Sequence, residues 1–348
     1  MSTRIIFIFL LLTLIACEQS PKRLPTSKLP PKRLELIDGL SFVAPPKPFP
    51  ADPMLPIQTV GAGWIAVIPY AFTKSGVPQV RYNALGGQWW GECHEGCRAT
   101  IKAAKAAGLK IMFKPQVFVP GSWTGDLDFS DPADWKKWEA GYEAYIMPLV
   151  EMAAQEGVEL FCIGTEFKIS VAKRPEFWNH LIDTISTKYK GKLTYAANWN
   201  DYDAVPFWHR LDYIGINAYF SLSATKTPEK KELIKAWQPM VSAIGKLADQ
   251  HKKPVLFTEF GYLSVDGCAD KTWEIEKRIK STSVNQYAQA IALDALFETF
   301  WIQPYWQGGF LWKWFPNMQG HEGYPEKDYT PQGKLGEQIL KKWYTNTP

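Results

Sequence analysis

Cysteine is scarce in this chain. Five among 348 residues cannot staple a small loop-rich fold, so ordinary core burial must hold the protein together. A dominant charge is missing too: 39 Lys and Arg against 35 Asp and Glu leave a formal net charge of +4. With no basic stripe along the chain, a nucleic-acid partner is excluded. Past residue 16 no apolar run is long enough to span a bilayer. No repeat with a period of roughly 20–50 residues is present, so solenoid architectures drop out. Metal-ligand spacing is also lacking. Cys93, His94 and Cys97 lie close together, but no CxxC or HxxxH pair accompanies them, and no metal is expected. Cys93 and Cys97 are left as either a local disulfide or two free thiols, and Cys162 reads as a buried, inert thiol.

Aromatic residues, by contrast, are abundant, with 16 Trp, 15 Tyr and 19 Phe. Most must fill a core, but flat rings also serve as platforms for sugars. The N-terminus carries an address. Arg4 precedes IIFIFLLLTLIA (5–16), which is too short for a membrane span and of the length of a signal-peptide core. It ends in Leu14-Ile15-Ala16-Cys17, which resembles a bacterial lipobox. The expectation is cleavage before Cys17, lipidation of that thiol, and a protein anchored to the cell envelope outside the cytoplasm. Residues 17–34 are rich in Pro, Lys and Ser and read as a tether that cannot bury enough apolar surface to fold. The remainder, 35–348, has the length of one barrel domain, expected to act as a monomer.

Within it, short apolar runs alternate with helical stretches, the pattern of βα units. Candidate strands are 40–44, 63–70, 109–119, 159–166, 193–198, 213–220, 255–262 and 308–314. Their alternation with helices predicts a (β/α)8 barrel. Helices are expected over 97–107, 134–156, 175–190, 228–251 and 283–300, the first two ending at Gly108 and Gly157. Residues 45–62 hold too many prolines for a long helix, so the first crossover is expected to be short or irregular.

Two glutamates close strands in this pattern. Glu166 ends VELFCIGTE (158–166), the fourth strand, and Glu259 sits in PVLFTEFGY (254–262), the seventh. A pair of carboxyl groups, one protonated and one ionised, suffices to break a glycosidic bond without a metal or organic cofactor. Other polar and aromatic residues fall at strand ends, where sites of such barrels gather. Lys114 and Gln116 alternate along strand three, and a Lys turned into a barrel needs a partner, either a carboxylate or a substrate hydroxyl. Asn217 and Tyr219 share a face of strand six, and Trp312 and Trp314 a face of strand eight. Asn198 and Trp199 follow strand five, while Trp89, Trp90 and Trp123 lie in loops after strands two and three.

The segments FCIGTEF (161–167), YIGINAYF (213–220), VLFTEFGY (255–262) and GGFLWKWF (308–315) resemble those of glycoside hydrolase family 113, best known for β-mannanases. The resemblance runs from about Leu40 to about Tyr344. That family belongs to clan A of retaining glycosidases, in which the acid/base ends strand four and the nucleophile ends strand seven. Carried over, the resemblance implies Glu166 as proton donor and Glu259 as nucleophile. It implies Tyr219 as the hydroxyl orienting Glu259, and Trp312 as the platform under the reactive sugar with Trp314 nearer the mouth. Asn198 and Trp199 become contacts on the leaving-group side, and the substrate a β-mannan or manno-oligosaccharide. Two positions depart from familiar patterns. Thr165 precedes Glu166 where many clan members have Asn, and Gln116 follows Lys114-Pro115 where family 113 mannanases commonly have His.

Overall fold

The computed structural model describes residues 29–30, 33, 35–82, 87–316 and 323–346. The signal peptide, Cys17 and most of the tether lie outside the described residues. Among the described residues ten strands follow one another: β1 (Ile37–Phe42), β2 (Trp64–Val67), β3 (Tyr70–Phe72), β4 (Lys110–Phe113), β5 (Gln116–Phe118), β6 (Leu160–Thr165), β7 (Lys192–Asn198), β8 (Tyr213–Asn217), β9 (Val255–Phe260) and β10 (Trp306–Trp314). Eight of them close a parallel barrel in the order β1-β2-β4-β6-β7-β8-β9-β10, with β10 pairing back onto β1. Glu166 directly follows the fourth barrel strand, β6, and Glu259 lies in the seventh, β9.

Each barrel strand is buried on both faces. Ile37, Ala66, Met112, Leu160, Leu256 and Phe310 form a small inner cluster. Their sequence neighbours, among them Ile65, Ile111, Phe161, Phe257 and Leu311, join the larger outer core under the helices. Two buried faces account for near-continuous apolar runs instead of simple alternation.

The helices are α1 (Leu55–Thr59), α2 (His94–Ala106), α3 (Pro132–Gln155), α4 (Lys168–Lys173), α5 (Pro175–Lys188), α6 (Lys230–His251), α7 (Thr272–Glu276), α8 (Gln286–Phe300) and α9 (Leu335–Tyr344). The first crossover holds only the five-residue α1, as its prolines require. Helix α3 starts where the Asp131 side chain accepts from the Ala133 amide, with Pro132 in the first turn. Gly108 and Gly157, at φ +76° and +61°, supply the left-handed turns that return the chain from α2 and α3 to the barrel.

Two expected strands are each broken in two. The run 63–70 divides into β2 and β3, and the run 109–119 into β4 and β5. The break falls at Pro69 and Pro115, which cannot donate to a ladder. Beyond these prolines β3 and β5 leave the barrel and pair with each other as a two-stranded sheet, and the Tyr145 hydroxyl bonds the carbonyls of Pro69 (3.0 Å) and Gln116 (3.2 Å). Cys93 and Cys97 are free thiols. Their sulfurs meet the carbonyls of Trp89 and Gly91 respectively.

Candidate active site

At the end of β6 the chain turns out of the barrel through Glu166 itself, at φ +57°. A left-handed conformation at a residue with a Cβ costs on the order of 1–3 kcal/mol, and such strain clusters at functional sites. It is held by a hydrogen bond from the Glu166 amide to the Ala196 carbonyl, 2.8 Å. The side chain meets two donors: Asn217 Nδ2 reaches Oε1 at 2.8 Å and Trp123 Nε1 reaches Oε2 at 2.5 Å. The Thr258 hydroxyl donates to Asn217 Oδ1 at 2.9 Å, fixing the amide with its NH2 toward Glu166. Burial, and then the negative charge of Glu259, push the Glu166 carboxyl above the ordinary range. The hydrogen bonds and Lys114 oppose the shift without cancelling it.

Glu259 has a different environment. Its Oε1 accepts from the Lys114 ammonium and from Gln116 Nε2 at 2.9 Å, and its Oε2 from the Tyr219 hydroxyl at 2.8 Å. Lys114 is fully buried, so of the two partners open to it from sequence, the carboxylate is the one present. Burial, reinforced by the charge of Glu259, drives the Tyr219 phenol well above its usual range, which keeps it a donor. Both carboxyl groups are buried and each accepts from two neutral donors, but Glu259 also meets an ammonium, and that is the difference between their surroundings.

The two sides are coupled through the barrel. Asn217 pairs in register with Glu259 while its side chain holds Glu166. Both glutamates line one cavity of about 120 Å³, together with Gln116, Thr165, Asn217 and Trp312.

Other expected residues fall elsewhere. Trp314 is buried at 2 % exposure in the outer core and lines neither this cavity nor the larger hollow beside it, so the expectation of a platform nearer the mouth is corrected. The reason is a bulge: Leu40 pairs with Leu311 but Phe42 with Trp314, so three steps of β10 face two of β1. The extra residue reverses the alternation between Trp312 and Trp314. Trp90 is likewise corrected. It packs edge-on against Phe49 at 5.4 Å, and its neighbour Trp89 lines the larger hollow instead. Asn198 donates to Asn200 at 3.1 Å, and Trp199 stacks on Trp273 at 5.3 Å; neither lines the catalytic cavity. Sequence reasoning missed Tyr70 and Thr124 on the cavity wall and Thr258 behind Asn217. Thr258 directly precedes Glu259 and was open to notice; Tyr70 and Thr124 carry no local signal.

A parallel eight-stranded barrel that brings two glutamates from its strand ends onto one cavity is the framework of a sugar-cleaving enzyme. The chain belongs to Glycoside Hydrolase Family 113, whose sequence model matches residues 53–334, and it is a glycoside hydrolase. Solved structures agree in fold. A family 113 β-mannanase from Alicyclobacillus acidocaldarius, in complex with ManMIm, is 23% identical with a TM-score of 0.76, over 90% of this chain and 98% of that one. A complex of a family 113 β-1,4-mannanase is 24% identical with a TM-score of 0.76, over 89% and 99%. A β-glucuronidase from Ruminococcus gnavus is more distant, 13% identical with a TM-score of 0.55, over 89% of this chain and 50% of that one. No curated protein matches the chain.

Proposed function

We propose that the protein is a retaining β-mannanase, tethered to the bacterial cell envelope through a lipid on Cys17. The observation that carries the mechanism is the pair of contrasting environments on one cavity. Glu259 attacks the anomeric carbon while Glu166 passes its proton to the glycosidic oxygen, and the bond to the leaving sugar breaks. Glu259 is then esterified and uncharged, so the Coulombic contribution that raised the Glu166 carboxyl is gone. Glu166, now a carboxylate, takes a proton from water as the water oxygen attacks the anomeric carbon and Glu259 leaves. One group thus serves as acid and then base because its neighbour's charge switches off between the two steps.

Mannan as substrate is supported by family membership and by the β-mannanases among the structural neighbours. One observation favours keeping a second reading, the same chemistry on another β-glycan. Gln116, the departure from the family pattern, both lines the cavity and donates to Glu259. Release of reducing ends from β-mannan, β-glucan and β-xylan, with the anomer of the first product followed by proton NMR, tests both. The expected result is mannan cleavage with a β-configured first product; an α-configured product removes the retaining mechanism, and a preference for glucan removes mannan. For the tether, Arg33 bonds the carbonyls of Pro304 and Trp306 at the start of β10. At Arg33, therefore, the chain lies against the end of the barrel opposite the cavity. No helix among the described residues is long and apolar enough to cross a membrane.

Trp312 lines the catalytic cavity and the hollow beside it. An aromatic face under a pyranose gains dispersion and excludes water. Trp312→Ala is therefore expected to lower kcat/KM on manno-oligosaccharides by roughly 10- to 100-fold, equivalent to about 1.4–2.8 kcal/mol, while its melting temperature moves little. A variant that melts early yet keeps its efficiency would assign Trp312 to the scaffold.

A further inference from the structure

The regular pairing of β9 is broken one residue before Glu259. Ile216 pairs with Phe257 but Asn217 with Glu259, so Thr258 is an extra step with no partner on β8. Bulges of this kind gather beside active sites, where they re-aim a side chain. Here the side chain is fully buried and lies off the wall of the catalytic cavity. Its methyl occupies the space left by the missing side chain of Gly215, since a Cβ at that glycine would lie 2.9 Å from it. Two heavy atoms on Cβ make a Thr stiff about χ1, so a seated methyl fixes the direction of the hydroxyl. That hydroxyl donates to Asn217 Oδ1 at 2.9 Å, and among the described residues it has no other acceptor.

Asn217 is also buried, at 1% exposure. The two ends of its amide are nearly equal in size, so packing does not choose between them and hydrogen bonding does. As placed, the NH2 meets Glu166 Oε1 and the carbonyl meets Thr258. Turned over, the amide would strand the hydroxyl hydrogen of Thr258 in the core, an unfavourable state for a buried donor. The choice matters for the catalytic proton. Trp123, the other partner of the Glu166 carboxyl, can only donate. With the amide NH2 on the second oxygen, neither bonded side chain can accept from the protonated acid, and its proton is left to a group in the cavity. An amide carbonyl in that place would accept the proton's hydrogen bond itself and hold the acid back.

We propose that Thr258 is a positioning residue for the acid/base: it holds the Asn217 carbonyl away from Glu166 and so keeps the catalytic proton available to the glycosidic oxygen. This role rests on Glu166 as the proton donor. The titratable groups that face Glu166 are Glu259 on β9, Lys114 after β4, Tyr195 on β7 and Tyr219 after β8. None of them bonds the Thr258 hydroxyl. A substitution of that hydroxyl therefore reaches Glu166 through Asn217.

Thr258→Val removes the hydroxyl and keeps the shape. The amide is then free to turn its carbonyl to the protonated acid. The probes are phenyl and 2,4-dinitrophenyl β-mannobioside, or the cellobiosides if glucan proves the better substrate. On the phenyl glycoside, whose leaving group needs a proton, kcat/KM should fall about tenfold, a part of the whole contribution of a general acid. On the dinitrophenyl glycoside, which needs none, the fall should be about twofold or less. The alkaline limb of kcat/KM should move to higher pH, because the carboxylate loses a donor and the protonated form gains an acceptor. Thr258→Ser keeps the hydroxyl but opens a small void, so it should restore both readings while melting lower than wild type. Added to Asn217→Ala, Thr258→Val should change kcat/KM by about twofold or less, since the residue it acts through is gone. A packing role reverses the order, with Ser the damaging change and Val the mild one. That order, an equal loss on both leaving groups, or an alkaline limb that stays in place in Thr258→Val would overturn the proposal while leaving Glu166 as the acid. A wild type with neither an alkaline limb nor any dependence on the leaving group would overturn the assignment of Glu166, and the role of Thr258 with it.

Discussion

Replacing Glu259 with Gln should lower kcat by about 10⁴- to 10⁶-fold on every substrate, the scale of loss when a nucleophile is removed. The change is nearly isosteric, so the cavity keeps its shape. What disappears is the ability to form an ester with the anomeric carbon, and no leaving group, however good, compensates for that. The variant has a side effect that must be measured beside it. Lys114 is fully buried and pairs with Glu259, and removing one partner of a buried ion pair costs about 3–5 kcal/mol. A fall in melting temperature is therefore expected in Glu259→Gln and does not explain the loss of turnover. Glu259→Asp separates the two effects: it keeps a charge for Lys114 but draws the carboxylate back by one methylene, away from the reacting carbon. It should melt near wild type and still lose most activity. A folded Glu259→Gln enzyme that retained more than a tenth of wild-type kcat would remove Glu259 from the role of nucleophile.

The barrel was legible because strands buried on both faces write themselves as apolar runs, and each run here contributes a strand. Its divisions were less so. Pro69 and Pro115 interrupt runs whose apolar character continues on both sides, and only the pairing of β3 with β5 distinguishes the second half from the first. The two glutamates could be read because each ends such a run. Lys114 and Gln116 could be placed on one face by alternation, and both do reach Glu259 Oε1. Alternation failed at Trp314, since a bulge is a matter of register between two strands and leaves no mark on either alone. Trp123 approaches Glu166 from 43 positions away through a loop; the sequence marks it as a loop Trp but says nothing of where the loop folds back. Trp89 and Trp90 are adjacent and identical in type, and only the turn into the short helix that follows decides which faces the hollow.

Glu166 separates from Glu259 by the kind of substrate its loss affects. Glu166→Ala removes the proton donor, so substrates with poor leaving groups should lose about 10²- to 10⁴-fold, the usual contribution of a general acid. Substrates with good leaving groups need no proton, and their first step should survive. The second step should not, because no base remains to activate water, and the glycosyl-enzyme should accumulate. Azide needs no base: it attacks the anomeric carbon, Glu259 departs, and a β-glycosyl azide forms with turnover restored. The pH profile supplies a second reading. In the wild type, kcat/KM should decline on the alkaline side as Glu166, raised by burial and by Glu259, gives up its proton, and that limb should be absent from Glu166→Ala on an activated substrate. Stability carries the same sign. The folded protein holds this proton more tightly than the unfolded chain, so between the ordinary carboxyl range and the raised value stability falls as pH rises. Glu166→Gln cannot ionise and should escape that fall, melting progressively higher than wild type toward neutral pH. Equal losses on good and poor leaving groups, with no azide product, would mean that Glu166 is not the acid/base.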